Sequence, residues 1–412
     1  MIKKLGPLHM FLLLFVLMYY GRLSVVTFLP QYAIDNGIPA FYYSLYFSLT
    51  CMGSAISTIA TIFLLRRVSP RLLFVIIGAI SAAYEILIYL YPSPQPFLVA
   101  GLLIGLAAGA FWTLTFLIVC KIIDAYQVPT TSAFSEYTVV LTVMAAITPL
   151  IAGVIVQIGG YEPWLLSALA LLIVSMIFVV LIKDPVYLET YDKHPLQEDL
   201  SKVLHDRRTM ATFFLVMLFS TLTIGTWASF SRVFFANVGI RNVWLGLLSV
   251  VVSIVTIVVF WFHSRHQFST RRTIATLGIL AFGTEMLLLT VVSDPTLIFV
   301  LEGVLGTAGS ATVAFATQTI IKNTFRERTY MGQPLLAFGM YIMSGIWYIV
   351  CGYIIADFGS YDTYGSILGV VVSQFGLRVL LVVLAVLTTA WAVTMWRYDG
   401  RMVRDDRLGD KR

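Results

Sequence analysis

The strongest constraint in this chain is a duplication. Apolar segments long enough to cross a bilayer recur in the same order, carrying matching marks, about 200 residues apart. Glu85 in one run answers to Glu285 in another, Gly105 to Gly306 and Lys121 to Lys322. The basic turn Arg66-Arg67-Val68-Ser69-Pro70-Arg71 is matched by His266-Gln267-Phe268-Ser269-Thr270-Arg271, and Tyr161-Glu162 by Tyr361-Asp362. A duplicated membrane unit of this size predicts two related bundles with a seam between them.

Only 12% of the residues are charged and 59% are hydrophobic, with a mean hydropathy of +0.90. A soluble domain carries about 25% charged residues, so the environment is lipid. A spanning helix needs about 20 mostly apolar residues. Twelve candidates follow: Gly6 to Leu29, Phe41 to Leu65, Arg71 to Tyr91, Phe97 to Ile123, Thr131 to Ile158, Pro163 to Ile182, Thr209 to Asn237, Trp244 to Phe262, Thr273 to Val292, Thr296 to Ile321, Pro334 to Ala356 and Gln374 to Trp396. Helices are expected because open strand edges are not tolerated in lipid and the runs lack a two-residue alternation. The expected fold is all-α and integral to the membrane: bundles of six helices over residues 1–182 and 209–397, a linker over 183–208 and a tail over 398–412.

Charge sets the orientation. With the N-terminus in the cytoplasm, 23 of the 27 Lys and Arg residues fall on the cytoplasmic side. Arg232, Arg241 and Arg378 are assigned outside, and Arg22 lies within a span. The positive-inside rule therefore predicts a multi-pass cell-membrane protein with both ends cytoplasmic. The net charge of +6 is a topological signal, and nucleic-acid binding is excluded. Lys3-Lys4 and the run after them read as an uncleaved first helix. Cys51, Cys120 and Cys351 lack metal-ligand spacing and form no disulfide framework. In the linker, Leu196, Leu200, Val203 and Leu204 make the stripe of a short amphipathic helix on an otherwise solvated tether.

The chain resembles the major facilitator superfamily from about Gly6 to Arg397, and four stretches carry the likeness. Phe28-Leu29-Pro30-Gln31-Tyr32 with Gly37-Ile38 is similar to the family's first outer turn. In the basic turn between the second and third spans, Arg67 and Arg71 match, while Arg66 replaces the family's Asp and Ser69 its Gly. Gly101 to Gly109 is similar to the fourth-span motif, with Gly101 where the family often has a proton-linked Arg. Thr148-Pro149-Leu150-Ile151-Ala152-Gly153 is similar to the fifth-span signature of exporters, keeping Pro149 and Gly153. The resemblance implies a solute transporter whose two bundles rock about a central site. It also implies a cytoplasmic gate at Arg66, Arg67, Arg71, Arg271 and Arg272.

Ionisable residues inside spans are costly and mark candidate sites. Arg22 lies about 12 Å from the outer end of its span, counting 1.5 Å per residue to Pro30. It either snorkels or faces the central cavity, where its planar fork suits a carboxylate or phosphate. Glu302 lies at a similar depth in the other half, placed to pair with Arg22 on closure, to bind a cation or to take a proton. Glu85 and Glu285 are candidates for proton coupling or for neutral, hydrogen-bonded acids. By the family resemblance Trp112 and Trp227 line the cavity, where they would form an aromatic platform or simply pack. Gly101, Gly105 and Gly109 recur every four residues, and Gly303, Gly306 and Gly309 every three. Such small faces allow close helix contact, and Pro149 is a candidate hinge.

The leading reading is a secondary transporter moving a small solute by alternating access. The chain has no phosphate-binding Gly-x-x-x-x-Gly-Lys-Ser/Thr loop, so a co-transported proton or ion is the expected driver, with facilitated diffusion as the uncoupled alternative. The fifth-span signature leans toward efflux of amphipathic compounds, and Arg22 toward an organic anion. A non-transporting sensor would call for a soluble output domain, and a membrane enzyme for clusters of catalytic residues at depth. Neither feature is legible, and none of His9, His194, His205, His263 and His266 is deep in a span. The expected protein is a monomer without cofactor or metal.

Overall fold

Prolines and short caps start the helices. The computed structural model describes residues 6–128, 130–189, 218–265, 271–314, 329–359, 364–367 and 370–409. The first helix, α1 (Pro7–Asp35), opens on a proline in its first turn, as do α3 (Pro70–Leu90), α4 (Pro94–Tyr126) and α10 (Pro295–Ala314). Proline suits that position because the first amide has no intrahelical acceptor. Ser69, which replaces the expected glycine in the basic turn, caps α3 by accepting from the Leu72 amide at 3.4 Å. Asp294 does the same for α10, accepting from the Leu297 amide at 2.8 Å. Gly160, at φ +78°, is the single-residue break between α5 (Thr130–Gly159) and α6 (Tyr161–Leu181).

The remaining long helices are α2 (Ala40–Leu64), α7 (Thr226–Asn237), α8 (Val243–Arg265), α9 (Arg271–Leu289), α11 (Thr329–Asp357) and α12 (Phe375–Gly409), and a single turn, Pro185–Leu188, follows α6. A wide π turn, Thr221–Gly225, leads into α7, and a second, Leu301–Gly306, interrupts α10. The fold is all-α and multi-pass, with ten helices among the described residues long and apolar enough to cross a membrane. Large apolar side chains such as Phe63, Ile158 and Leu181 point outward, as they do in lipid.

Three details differ from the sequence reading. Helix α1 continues through Pro30 to Asp35, and α12 continues past Trp396 to Gly409. Between α11 and α12 stands an antiparallel hairpin, β1 (Tyr364–Ile367) and β2 (Val370–Ser373), pairing Tyr364 with Ser373 and Ile367 with Val370. It lies between the spans, where its edges need no partner within lipid. The predicted linker stripe, Lys322, His194, His205, His266 and the Tyr361-Asp362 pair lie outside the described residues.

Glycine faces set the closest helix contacts. Helix α4 packs on α2, where a Cβ on Gly105 would overlap the Thr50 carbonyl and one on Gly109 the Ser54 carbonyl. Across this contact Thr50 donates to the Gly101 carbonyl at 3.1 Å and Ser54 to the Gly105 carbonyl at 3.0 Å. Gly303, Gly306 and Gly309 do not share one neighbour. Gly303 faces Val251 of α8, Gly306 faces Glu285 of α9, and Gly309 meets Gly278 and Phe282 of α9.

Candidate functional site

Two arginines, one from each half of the sequence, lie within electrostatic range of one tyrosine, Tyr19. Arg22 of α1 is only 7% exposed, and its guanidinium stacks on the Phe111 ring of α4 at 4.5 Å. Its Nε has no hydrogen-bond partner. A buried guanidinium with an unused donor is costly, so this group is incompletely satisfied by the protein alone. Its charge acts on Tyr19, Tyr84, Glu85 and Tyr341. Arg232 of α7 acts on Tyr43 and on the same Tyr19. Trp112 meets Tyr19 edge-on with centroids 6.1 Å apart, and also packs against Phe15 and Phe111. Phe15, Tyr19, Phe111 and Trp112 thus form an aromatic cluster beside Arg22.

Arg232, assigned to the outer side from sequence, is half-buried and lies within electrostatic range of Tyr19 and Tyr43. The signal was present: position 232 lies inside the predicted span Thr209 to Asn237, five residues from its end.

A second constellation occupies the other half. Trp227 of α7 donates from Nε1 to Oε2 of Glu302 at 2.7 Å. The Glu302 side chain also meets the carboxyl of Glu285 from α9, which is fully buried against Gly306. The wide turn makes this possible: Thr307 donates to the Glu302 carbonyl at 2.7 Å, five residues back, and the turn brings Glu302 and Gly306 around the Glu285 carboxyl. Trp227 is therefore a hydrogen-bond donor here. Arg22 and Glu302, expected to pair on closure, have separate partners in this structure.

The twin carboxyls Glu85 and Glu285 also differ. Both are buried, and neither oxygen of either side chain has a hydrogen-bond donor. Glu85 lies in the field of Arg22, whereas Glu285 faces another carboxyl. Their matching positions in the sequence do not bring matching neighbours.

The two halves meet at the end that holds Asp35. Arg241 pairs with Asp35 at 3.1 Å, and the Tyr161 hydroxyl donates to the same carboxylate. Gln31 donates to the Asn242 side chain at 2.6 Å and accepts from the Asn242 amide at 3.2 Å. Asn242 adopts a left-handed φ of 50°, a conformation asparagine tolerates better than most residues. Gly153 lies against the Asn242 carbonyl, and Gly246 of α8 lies against Pro149 and Leu150 of α5. Any side chain at either glycine would push α5 and α8 apart. Further in, Ser48 of α2 donates to the Gly345 carbonyl of α11 at 2.7 Å. At the opposite end, Arg66 lies over Phe63 at 5.6 Å, and Arg67 and Arg71 share its turn. The side chains of Arg271 and Arg272 lie outside the described residues.

Comparisons with known proteins agree with this architecture. The model of the Major Facilitator Superfamily matches residues 11–350. A crystal structure of the nucleoside transporter NupG superposes with a TM-score of 0.73 at 16% identity, covering 96% of this chain and 100% of that one. A point variant of NupG gives 0.72 at 15% identity, covering 95% and 99%. No curated protein matches the chain by sequence.

Proposed function

Because the chain belongs to the Major Facilitator Superfamily, and is thus a secondary transporter of the alternating-access type, we propose that its central site carries a small organic anion. The observation that carries this reading is that buried Arg22 and half-buried Arg232, contributed by opposite halves of the sequence, both lie within electrostatic range of Tyr19. A cation that the protein leaves incompletely satisfied stabilises an anion better than a neutral solute, because the low dielectric strengthens the attraction. Tyr19, Trp112 and Phe111 favour a solute with an apolar or planar body beside its charge. Supply of one arginine by each half ties solute binding to the relative position of the halves.

The proposed frame is twelve spans in two bundles, over residues 1–182 and 209–397, joined by the 183–208 linker, as a monomer in the cell membrane. The Lys and Arg distribution places both termini in the cytoplasm, so the Asp35 end faces outward. The clasp of Asp35, Tyr161, Arg241, Gln31 and Asn242 then closes the outer side, and the basic turns lie at the cytoplasmic side. Pro149 and Gly153 belong to the outer seal, and opening there requires α5 and α8 to separate.

Ligand-dependent unfolding of the purified protein tests the charge requirement. Small aromatic and aliphatic carboxylates and phosphates are compared with their neutral amides and with nucleosides. A ligand at about 100 times its Kd stabilises the native state by roughly 2.7 kcal/mol, which raises the melting temperature measurably. The expected result is stabilisation by anionic members alone. Equal stabilisation by neutral analogues or nucleosides would overturn the anion reading.

A further inference from the structure

The carboxyl pair in the second half has no role in holding an anion. Glu285 is 0% exposed, and neither of its oxygens has a donor within the protein. What it meets is the Glu302 carboxyl, an acceptor like itself. Two carboxyls in contact can bond only through a proton that one of them carries, and two adjacent anions out of water repel strongly. The surroundings offer no other compensation. Helix α7 presents the neutral donor Trp227, while α8 presents Leu248 and Val251 beside Gly303. Helix α12 packs Thr388 against Gly283, two residues from Glu285 and so on another face of α9. Among the described residues no cationic side chain acts on the pair.

The shape is also specific. Gly306 provides the cradle, since a Cβ there would overlap the Glu285 carboxyl, and the wide turn Leu301–Gly306 brings Glu302 to the same spot. Trp227 already satisfies Oε2 of Glu302.

We propose that Glu285 and Glu302 form one proton-binding site, sharing a single proton between α9 and α10, and that its loading and release couple transport to a proton gradient. The coupling half of this inference rests on the transport reading, and the site itself does not. Proton release leaves two anions in contact, which favours separation of α9 from α10 and a shift of the α7 segment that Trp227 ties to Glu302. The proton is thereby linked to movement of the helix that also carries Arg232. The site is one shared proton in one half. It is not a pair of equivalent protons on Glu85 and Glu285.

Infrared spectroscopy of the full chain in lipid, scanned in pH, tests the site. The carbonyl stretch of a protonated carboxyl should be present at neutral pH, and it should be lost or strongly shifted in both Glu285→Gln and Glu302→Gln. It should persist in Glu85→Gln, and Trp227→Phe should shift its frequency, which keeps the test open if a Gln variant folds poorly. A band indifferent to both Gln substitutions and to Trp227→Phe, or a change driven by sodium in place of pH, overturns the site. In liposomes, each Gln variant should lose at least tenfold of pH-driven accumulation while keeping exchange within about twofold of wild type. Undiminished pH-driven accumulation in both variants overturns the coupling role. Failure of the wild type to exchange any solute would instead count against the transport reading, leaving the infrared result to stand on its own.

Discussion

Arg22→Ala is expected to reduce exchange of the transported anion by about 100-fold or more in liposomes, with the folded protein recovered in normal amount. Removing one partner of a buried, hydrogen-bonded charge pair costs about 2–5 kcal/mol, and each 1.4 kcal/mol is tenfold in affinity. The effect should appear chiefly as a raised KM, because in the proposed site the guanidinium is free to bind solute: it stacks on Phe111 and leaves Nε unused. Arg22→Lys should recover part of the loss, retaining charge without the planar fork. Arg232→Ala should act in the same direction from the other half. Exchange within about twofold of wild type in both alanine variants would remove the arginines from the site.

The largest stability effect is expected at Arg378, which is fully buried at the start of α12. Its Nη1 donates to the Leu289 and Val292 carbonyls at 2.9 and 2.8 Å, and Nη2 donates to the Ser293 hydroxyl at 3.2 Å. Its Nε donates to the Ser373 carbonyl at 2.8 Å, and the guanidinium lies 5.3 Å from the Phe234 ring centroid. One side chain thus satisfies the carbonyls at the C-terminal end of α9, where a positive charge also complements the helix dipole. Arg378→Ala strips those acceptors in a buried place, at about 1–3 kcal/mol for each group left unsatisfied, so a total of roughly 2–6 kcal/mol is expected. Lysine, a single point donor, should rescue little. Thermal unfolding in detergent measures this. A melting temperature unchanged within error would show that water replaces the guanidinium and that the end of α9 is not held by it.

The membrane class and most helices were legible because a bilayer demands long apolar runs and little else has that signature. The α4 glycines were legible too, since a spacing of four residues puts Gly101, Gly105 and Gly109 on one face, and α2 packs there. Of the second glycine set, Gly306 and Gly309 face α9 and Gly303 faces α8, across the wide turn Leu301–Gly306. The same turn explains why the Glu285 and Glu302 contact was hidden: no periodicity announces a π turn. Arg232, five residues from a predicted span's end, is half-buried within electrostatic range of Tyr19 and Tyr43, neighbours that no local pattern announces. The Arg241 and Asp35 clasp joins residues 206 apart, a pairing that a single sequence does not encode locally. The hairpin at Tyr364 to Ser373 falls in the connection between the last two predicted spans, to which the sequence reading gives no element.

The central claim is that one site, completed by an arginine from each half, is exposed to the two faces in turn and reads negative charge. Counterflow measures it most directly. Proteoliposomes loaded with an unlabelled organic anion are diluted into a trace of the labelled anion, without ATP and at equal pH on both sides. The account predicts transient accumulation of label driven by the internal anion, abolished in Arg22→Ala and absent when the loaded compound is the neutral amide of the same anion. Entry of label that ignores the internal anion, or equal stimulation by the neutral amide, would contradict it.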